Sequence, residues 1–223
     1  MNFIDAPSPN FNDRKTPINL IVLHYTGMES GQAALERMRD PDAQVSAHYM
    51  VEEDGRIFRL VDETKRAWHA GVSQWAGETD VNSISIGIEI VNGGHDFGSP
   101  NYPQAQISAI ITLTKQIMEQ NAIPPHRVVG HSDIAPGRKQ DPGEKFPWRQ
   151  LAEAGCAIWP LHGAHESADI AADLAAIGYD PDDSPPAVLI AFQRRFRPGN
   201  VDGVMDDETS ALIRKVAELS RPA

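Results

Sequence analysis

The chain has 223 residues, 41% of them hydrophobic, and a formal charge of 20 − 31 = −11 at pH 7; this suggests one domain, or one and a half, with a buried core. So acidic a balance argues against nucleic acid as the main partner, because phosphate binding needs a cationic face, while leaving room for an anionic substrate held by a few local arginines or lysines. A single cysteine, Cys156, excludes an intramolecular disulfide framework, and no apolar run approaches the roughly 18 residues of a membrane span.

Met1–Pro9 has no basic n-region and no apolar h-region, and prolines interrupt it. No secretory leader is read there. The expectation is a soluble, cytoplasmic protein, with the periplasm as the alternative. Leu20–Leu23 is a short continuous apolar run and reads as a buried strand ending on His24. Residues 31–39 are helix-like. Asp54-Gly55, between Tyr49-Met50-Val51 and Ile57–Val61, predicts a hairpin with a tight primed turn. Residues 62–82 read as a loop carrying Ala67-Trp68-His69-Ala70-Gly71.

Ile84, Ile86, Ile88 and Ile90 alternate strictly, which predicts a strand with the isoleucines on one face and Ser85, Gly87, Glu89 and Val91 on the other. Residues 104–120 carry a helical stripe of Ile107, Ile110, Ile111, Ile117 and Met118, with Thr114 in the missing turn. Pro124-Pro125 ends that helix, and Arg127–His131 reads as a further strand. Three amphipathic patterns follow. They are Ile170, Leu174 and Ile177; Leu189, Phe192 and Phe196 after Pro185-Pro186; and Leu212, Val216 and Leu219 after the Asp206-Asp207 cap candidates. The fold class is therefore α/β, a mixed central sheet flanked by helices over residues 1–163, followed by a small three-helix module over 164–223.

Several polar residues stand apart from this pattern. His24 and His131 each follow an apolar strand pattern, and strand ends of open sheets are where functional side chains gather. Asp141 lies in the turn-rich loop Gly137–Gly143, two residues after Lys139. Two imidazoles and one carboxylate make a zinc set with a fourth position open to water, the layout of a catalytic site; the plainer alternative is two ordinary histidines and a polar turn. Glu89 sits among four isoleucines although glutamate is disfavoured in strands. It is either a solvent-facing position on a one-sided sheet or a buried carboxylate of raised pKa suited to take a proton from water. Cys156 could in principle bind zinc, but its apolar neighbours make it a core thiol.

Six segments then occur in order: Leu23-His24-Tyr25-Thr26, Val45–Tyr49, Ala67–Gly71, Ser85–Glu89, Gly130–Ile134 and Gly137–Gly143. Together, across roughly residues 18–160, they resemble the zinc-dependent N-acetylmuramoyl-L-alanine amidases. The tail, with Ala191–Arg197, Asp202-Gly203 and Asp207-Glu208-Thr209, resembles a three-helix peptidoglycan-binding module. The layout is similar to the AmiD-like members, which pair both parts; AmpD-like members share the catalytic part. The resemblance implies one Zn2+ per chain held by His24, His131 and Asp141. It also implies Glu89 as the catalytic carboxylate and Lys139 as the lysine that steadies the transition state. Tyr25, Thr26 and Arg138 match substrate-touching positions, with Trp68 and His69 in a motif near the same cleft. The implied reaction is hydrolysis of the lactyl amide between N-acetylmuramic acid, including its 1,6-anhydro form, and L-alanine. Muropeptides are the implied partners, and a non-catalytic muropeptide-recognition protein is the rival.

Overall fold

Leu20–Tyr25 and Ser85–Ile90 pair in parallel at the heart of a mixed sheet, and everything else is arranged about that pair. The computed structural model describes residues 2–161 and 165–221. In chain order the strands are β1 (Phe3–Asp5), β2 (Phe11–Asp13), β3 (Leu20–Tyr25), β4 (Tyr49–Val51), β5 (Ile57–Arg59), β6 (Lys65–Ala67), β7 (Ser85–Ile90) and β8 (Val128–Gly130). The helices are α1 (Gly31–Arg39), α2 (Val81–Ile84), α3 (Gln104–Asn121), α4 (His131–Ile134), α5 (Trp148–Glu153), α6 (Ile170–Ile177), α7 (Pro185–Phe196) and α8 (Asp207–Ser220). The main sheet has six strands in the order β1-β5-β4-β7-β3-β8, all parallel neighbours except the β4–β5 hairpin. β2 and β6 form a separate antiparallel pair. No helix of the described residues is long and apolar enough to cross a membrane.

The period-2 pattern decides what each face of the sheet meets. Ile21 and Leu23 of β3 and Ile86, Ile88 and Ile90 of β7 bury against Ile107, Ile110, Leu113 and Ile117 of α3, with Cys156 in the same cluster. Among the described residues, the only hydrogen bonds of the free Cys156 thiol are to the main-chain carbonyls of Ile111 and Ala154, in keeping with a core thiol. On the opposite face, Leu20 and Val22 pack with Phe192, Phe196, Ile213 and Val216 of α7 and α8. Further along the same face, where the helices stop, His24 and Glu89 emerge. The caps of the C-terminal helices match their sequence signals: Asp169 and Asp206 accept from Ala172 and Thr209 N–H, and prolines occupy the first turn of α7. The boundary drawn at 163/164 lies outside the described residues.

A buried ion pair fastens α7 to the sheet. Arg195 donates to Asp133 Oδ2 at 2.7 Å and to the Val128 carbonyl, with its guanidinium stacked 4.2 Å from the Trp148 ring. Asp133 also accepts from Gly130 N–H and from the Tyr179 hydroxyl. The turn that carries His131 is thus held from both sides.

The structure departs from the sequence pattern in five places. Ile84 is not in the strand: it ends the single turn α2 and joins the Leu20–Val22 side of the core rather than the isoleucine face. Helical backbone before β7 rotates it off the pleat. The 62–82 segment is not all loop, because Lys65–Ala67 pairs with β2, a short edge pairing that no alternation announces. Arg127 belongs to a 3-10 turn, and the strand stops at Gly130 so that His131 opens α4. The hairpin at Asp54-Gly55 forms, but Glu52 N–H bonds the Arg56 carbonyl and only Gly55 has positive φ. It is therefore a three-residue connection closed by a left-handed glycine, not a two-residue primed turn. In α3, Leu113 is buried while Ile111 and Met118 are only partly so.

Arg195→Met leaves Asp133 charged and buried without its partner. It should cost about 3–5 kcal/mol of unfolding free energy in urea titration. His48 gives a pH dependence. It is buried, its Nδ1 accepts from Gly87 N–H, and burial followed by the nearby Arg14 charge lowers its pKa from 6.5 to about 3. The unfolded chain binds a proton there that the folded chain refuses. The stabilisation is therefore complete above pH 6.5 and is lost as pH falls from 6.5 toward 3. Urea midpoints measured from pH 7 to pH 5 should fall, and His48→Gln should flatten that slope.

Candidate metal and catalytic site

Parallel strands place the site. His24 lies at the carboxyl end of β3, Glu89 is its partner across the β3–β7 register, and His131 follows β8 directly. Clefts at the carboxyl ends of such strands are the usual place for ligands in open α/β sheets. The loop that bears Asp141 is drawn in by a bond from Ser132 N–H to the Asp141 carbonyl. Gly130 is what lets it approach: a Cβ there would sit 2.8 Å from Pro142 Cδ.

His24, His131 and Asp141 converge, all buried. Asp141 Oδ2 lies 3.1 Å from His24 Nδ1 and 2.9 Å from His131 Nδ1, and the two Nδ1 atoms are 2.9 Å apart. The surrounding hydrogen bonds assign the tautomers. The Ser85 hydroxyl donates to the Val81 carbonyl, so its oxygen accepts from His69 Nε2–H. His69 Nδ1 then accepts from His24 Nε2–H at 3.0 Å. His131 Nε2–H donates to the Ala70 carbonyl at 3.1 Å. In these tautomers His24 and His131 each turn an unprotonated Nδ1 inward, toward a carboxylate oxygen.

Three lone-pair groups face one another with no proton between them. Burial and the neighbouring His131 lower the His24 pKa to about 4, with Asp141 opposing, so the imidazole is neutral at pH 7. Such a cluster is repulsive unless a cation sits in it. Two neutral imidazoles and one carboxylate are a donor set that zinc accepts, with room for a fourth ligand. Among the described residues no other group of three His, Cys, Asp or Glu offers ligand atoms this close together.

Glu89 Oε2 is buried without a hydrogen-bond partner. Burial, then the charge of Asp141, raises its pKa well above 4.5, while Lys139 pulls the other way. Lys139 therefore lies within electrostatic reach of both Glu89 and His24. The Glu89 side chain opens onto a cavity of about 360 Å³ that Thr26 also lines.

The remaining candidates divide. Thr26 borders the cavity, its hydroxyl donating to the Asn92 carbonyl. Tyr25 bonds His95, which bonds Glu144, within 3.8 Å of Arg194 on α7. Arg138 is exposed, with its Nη2 on the Ala70 and Val72 carbonyls, and so braces the same carbonyl that holds His131. Trp68 donates from its indole to Asn12 at the edge of the β2–β6 pair and does not border the Glu89 cavity. His69 is a correction: it is buried, and both ring nitrogens are committed inside the protein, so it orients His24 instead of meeting substrate.

Sequence reading missed the groups behind the ligands. Ser85 is one, and Gly87 is another: a Cβ there would lie 2.4 Å from the His69 ring. A glycine inside a strand signals such an approach. Arg14, which donates to the Ser83, Ser85, Glu63 and Lys65 carbonyls, carried no visible signal.

Comparison with known proteins places the chain among relatives of one kind. Residues 14–144 match the family model described as N-acetylmuramoyl-L-alanine amidase. N-acetylmuramoyl-L-alanine amidase AmiD of Escherichia coli K12 is 40% identical over 234 residues, 90% of this chain and 83% of that protein. Its complex with anhydro-N-acetylmuramic acid-L-Ala-D-γ-Glu-L-Lys superposes with a TM-score of 0.80 at 39% identity, covering 91% of this chain and 89% of the other. AmpDh3 of Pseudomonas aeruginosa with anhydromuramic pentapeptide gives 0.80 at 37%, covering 91% and 92%. The 1,6-anhydro-N-acetylmuramyl-L-alanine amidase AmpD of Haemophilus influenzae is 35% identical over 163 residues, 64% of this chain and 86% of that protein.

Removing the orienting partner of a ligand histidine typically weakens metal binding by about 10–100-fold. His69→Phe should do so here, read by chelator competition with Zn2+, while Trp68→Phe should leave the affinity unchanged.

Proposed function

The chain belongs to the N-acetylmuramoyl-L-alanine amidase family, and from that premise we propose the following division of labour at its site. The protein hydrolyses the amide between the lactyl group of N-acetylmuramic acid, its 1,6-anhydro form included, and the L-alanine of the stem peptide. The observation that carries the mechanism is the convergence of His24, His131 and Asp141 beside the buried, unpartnered oxygen of Glu89. That same pairing favours hydrolysis over recognition without cleavage, which needs no intact ligand set and no poised carboxylate.

His24, His131 and Asp141 would hold a zinc ion, which would supply Lewis acidity toward the scissile carbonyl and an acidified water. Glu89 Oε2 accepts the proton of the attacking water and hands it to the departing alanine nitrogen. Lys139, whose charge reaches Glu89, stabilises the negative charge that develops on the lactyl oxygen. The Tyr25 and Thr26 segment borders the reacting carbonyl, and Arg138 holds the Ala70 loop behind His131. We further infer that the C-terminal helices hold peptidoglycan. A second cavity of about 420 Å³, walled by Trp159, Phe196 and Leu212 and edged by Arg197, Asn200 and Glu208, combines aromatic faces with hydrogen-bonding groups, which suits a sugar polymer.

Glu89→Gln should retain Zn2+ and lose about 10²–10⁴ in kcat; near-normal turnover would remove Glu89 from the mechanism. Lys139→Ala should lose about 10²–10³. Because Glu89 must be ionised to accept a proton and its pKa is raised, kcat/KM should fall on the acid side, and that limb should vanish in Glu89→Gln. Soluble anhydromuropeptide and intact sacculi, tested in parallel, separate a recycling enzyme from one acting on polymeric wall.

A further inference from the structure

The cavity beside Glu89 holds one cationic side chain. Its apolar walls are Met28, Ala34, Met38 and Val45, and its polar groups are Thr26, Glu89 and Arg37. The Thr26 hydroxyl is engaged with Asn92, and Glu89 serves the reaction. Arg37, exposed in the last turn of α1, has no ion-pair or hydrogen-bond partner among the described residues. A guanidinium fork without a carboxylate, in a cavity that reaches the reacting centre, points to an anion supplied by substrate.

The chemistry of the proposed substrate says which anion. The muramoyl half is neutral, because its only carboxyl is consumed in the scissile amide. In the peptide half, a glutamate joined through its γ-carboxyl keeps its α-carboxylate free. That carboxylate lies about two residues from the scissile carbon, at most about 7 Å along an extended chain, within what a 360 Å³ cavity holds. Arg138 is the competing cation, but its Nη2 is bound to the Ala70 and Val72 carbonyls and it does not line this cavity. We propose that Arg37 is a specificity-determining substrate residue that pairs with the free α-carboxylate of the γ-linked second stem residue, so that the enzyme discriminates against stems amidated at that position. This rests on the amidase reading above.

The test compares two substrates, anhydro-N-acetylmuramoyl-L-Ala-γ-D-Glu-L-Lys and the same molecule with the glutamate α-carboxylate converted to the amide. Full-length protein is assayed as wild type, Arg37→Met, Arg37→Lys and Arg138→Met, each checked for thermal midpoint and bound zinc. Wild type should cleave the acid with kcat/KM about tenfold above the amide, expressed in KM, the low end for a charge-assisted bond at an exposed arginine. In Arg37→Met the ratio should fall to near one; in Arg37→Lys it should be intermediate; in Arg138→Met it should persist. Equal wild-type rates, or a preference that survives Arg37→Met, overturn the proposal while leaving the amidase reading intact. Cleavage of neither substrate by zinc-loaded wild type overturns the amidase reading and this inference with it.

Discussion

Two unprotonated imidazole nitrogens and a carboxylate oxygen within about 3 Å of one another are the constraint on which the rest of the structure depends. Left alone, the three repel, and burial denies them water. The protein nevertheless fixes them there with directed hydrogen bonds: Val81 to Ser85 to His69 to His24 on one side, Ala70 to His131 on the other. Each of these bonds consumes the outward ring N–H and so forces the lone pair inward. A protein holds such an arrangement when a cation completes it, and the donor types are those of zinc.

The sheet makes the arrangement possible. Parallel pairing of β3 with β7 sets His24 beside Glu89, and pairing of β3 with β8 brings the turn of His131 alongside. On the far face, isoleucines and α3 form a continuous apolar layer. On the near face, the C-terminal helices bury Leu20 and Val22 and stop short of the ligands. Their contribution reaches further than burial. Arg195 and Tyr179 both bond Asp133, which holds the turn bearing His131, and Arg194 approaches Glu144 in the line that leads through His95 to Tyr25. The helices thus brace the ligand turn as well as carrying a cavity of their own.

Much of this was legible in the sequence, for a physical reason. Strand and helix periodicities are imposed by burial, and they marked β3, β7, α3 and the three C-terminal helices. His24 and His131 stood out as polar groups at the ends of apolar runs, Glu89 as a carboxylate inside a strand pattern, and Asp141 by its turn-rich loop two residues after Lys139. What stayed hidden depends on pairing between distant segments. The β2–β6 ladder has three residues per strand and no alternation to announce it. Ile84 continued the isoleucine pattern in sequence but not in space, because α2 turns it to the other core. His69 read as a cleft residue because it shares a motif with Trp68, whereas its neighbours in space are His24, Ser85 and the bare backbone of Gly87.

The account's central claim is that water is delivered to one particular carbonyl, that of the lactyl group, at a site built from the trio and Glu89. The most direct measurement is hydrolysis of anhydro-N-acetylmuramoyl-L-Ala-γ-D-Glu-L-Lys by zinc-loaded protein in 18O-water, with both products weighed by mass spectrometry. The account predicts a free peptide beginning at L-alanine with no label, and an anhydromuramic acid carrying one 18O in its lactyl carboxylate. Label in the peptide fragment, cleavage at another bond, or no cleavage at all would contradict it.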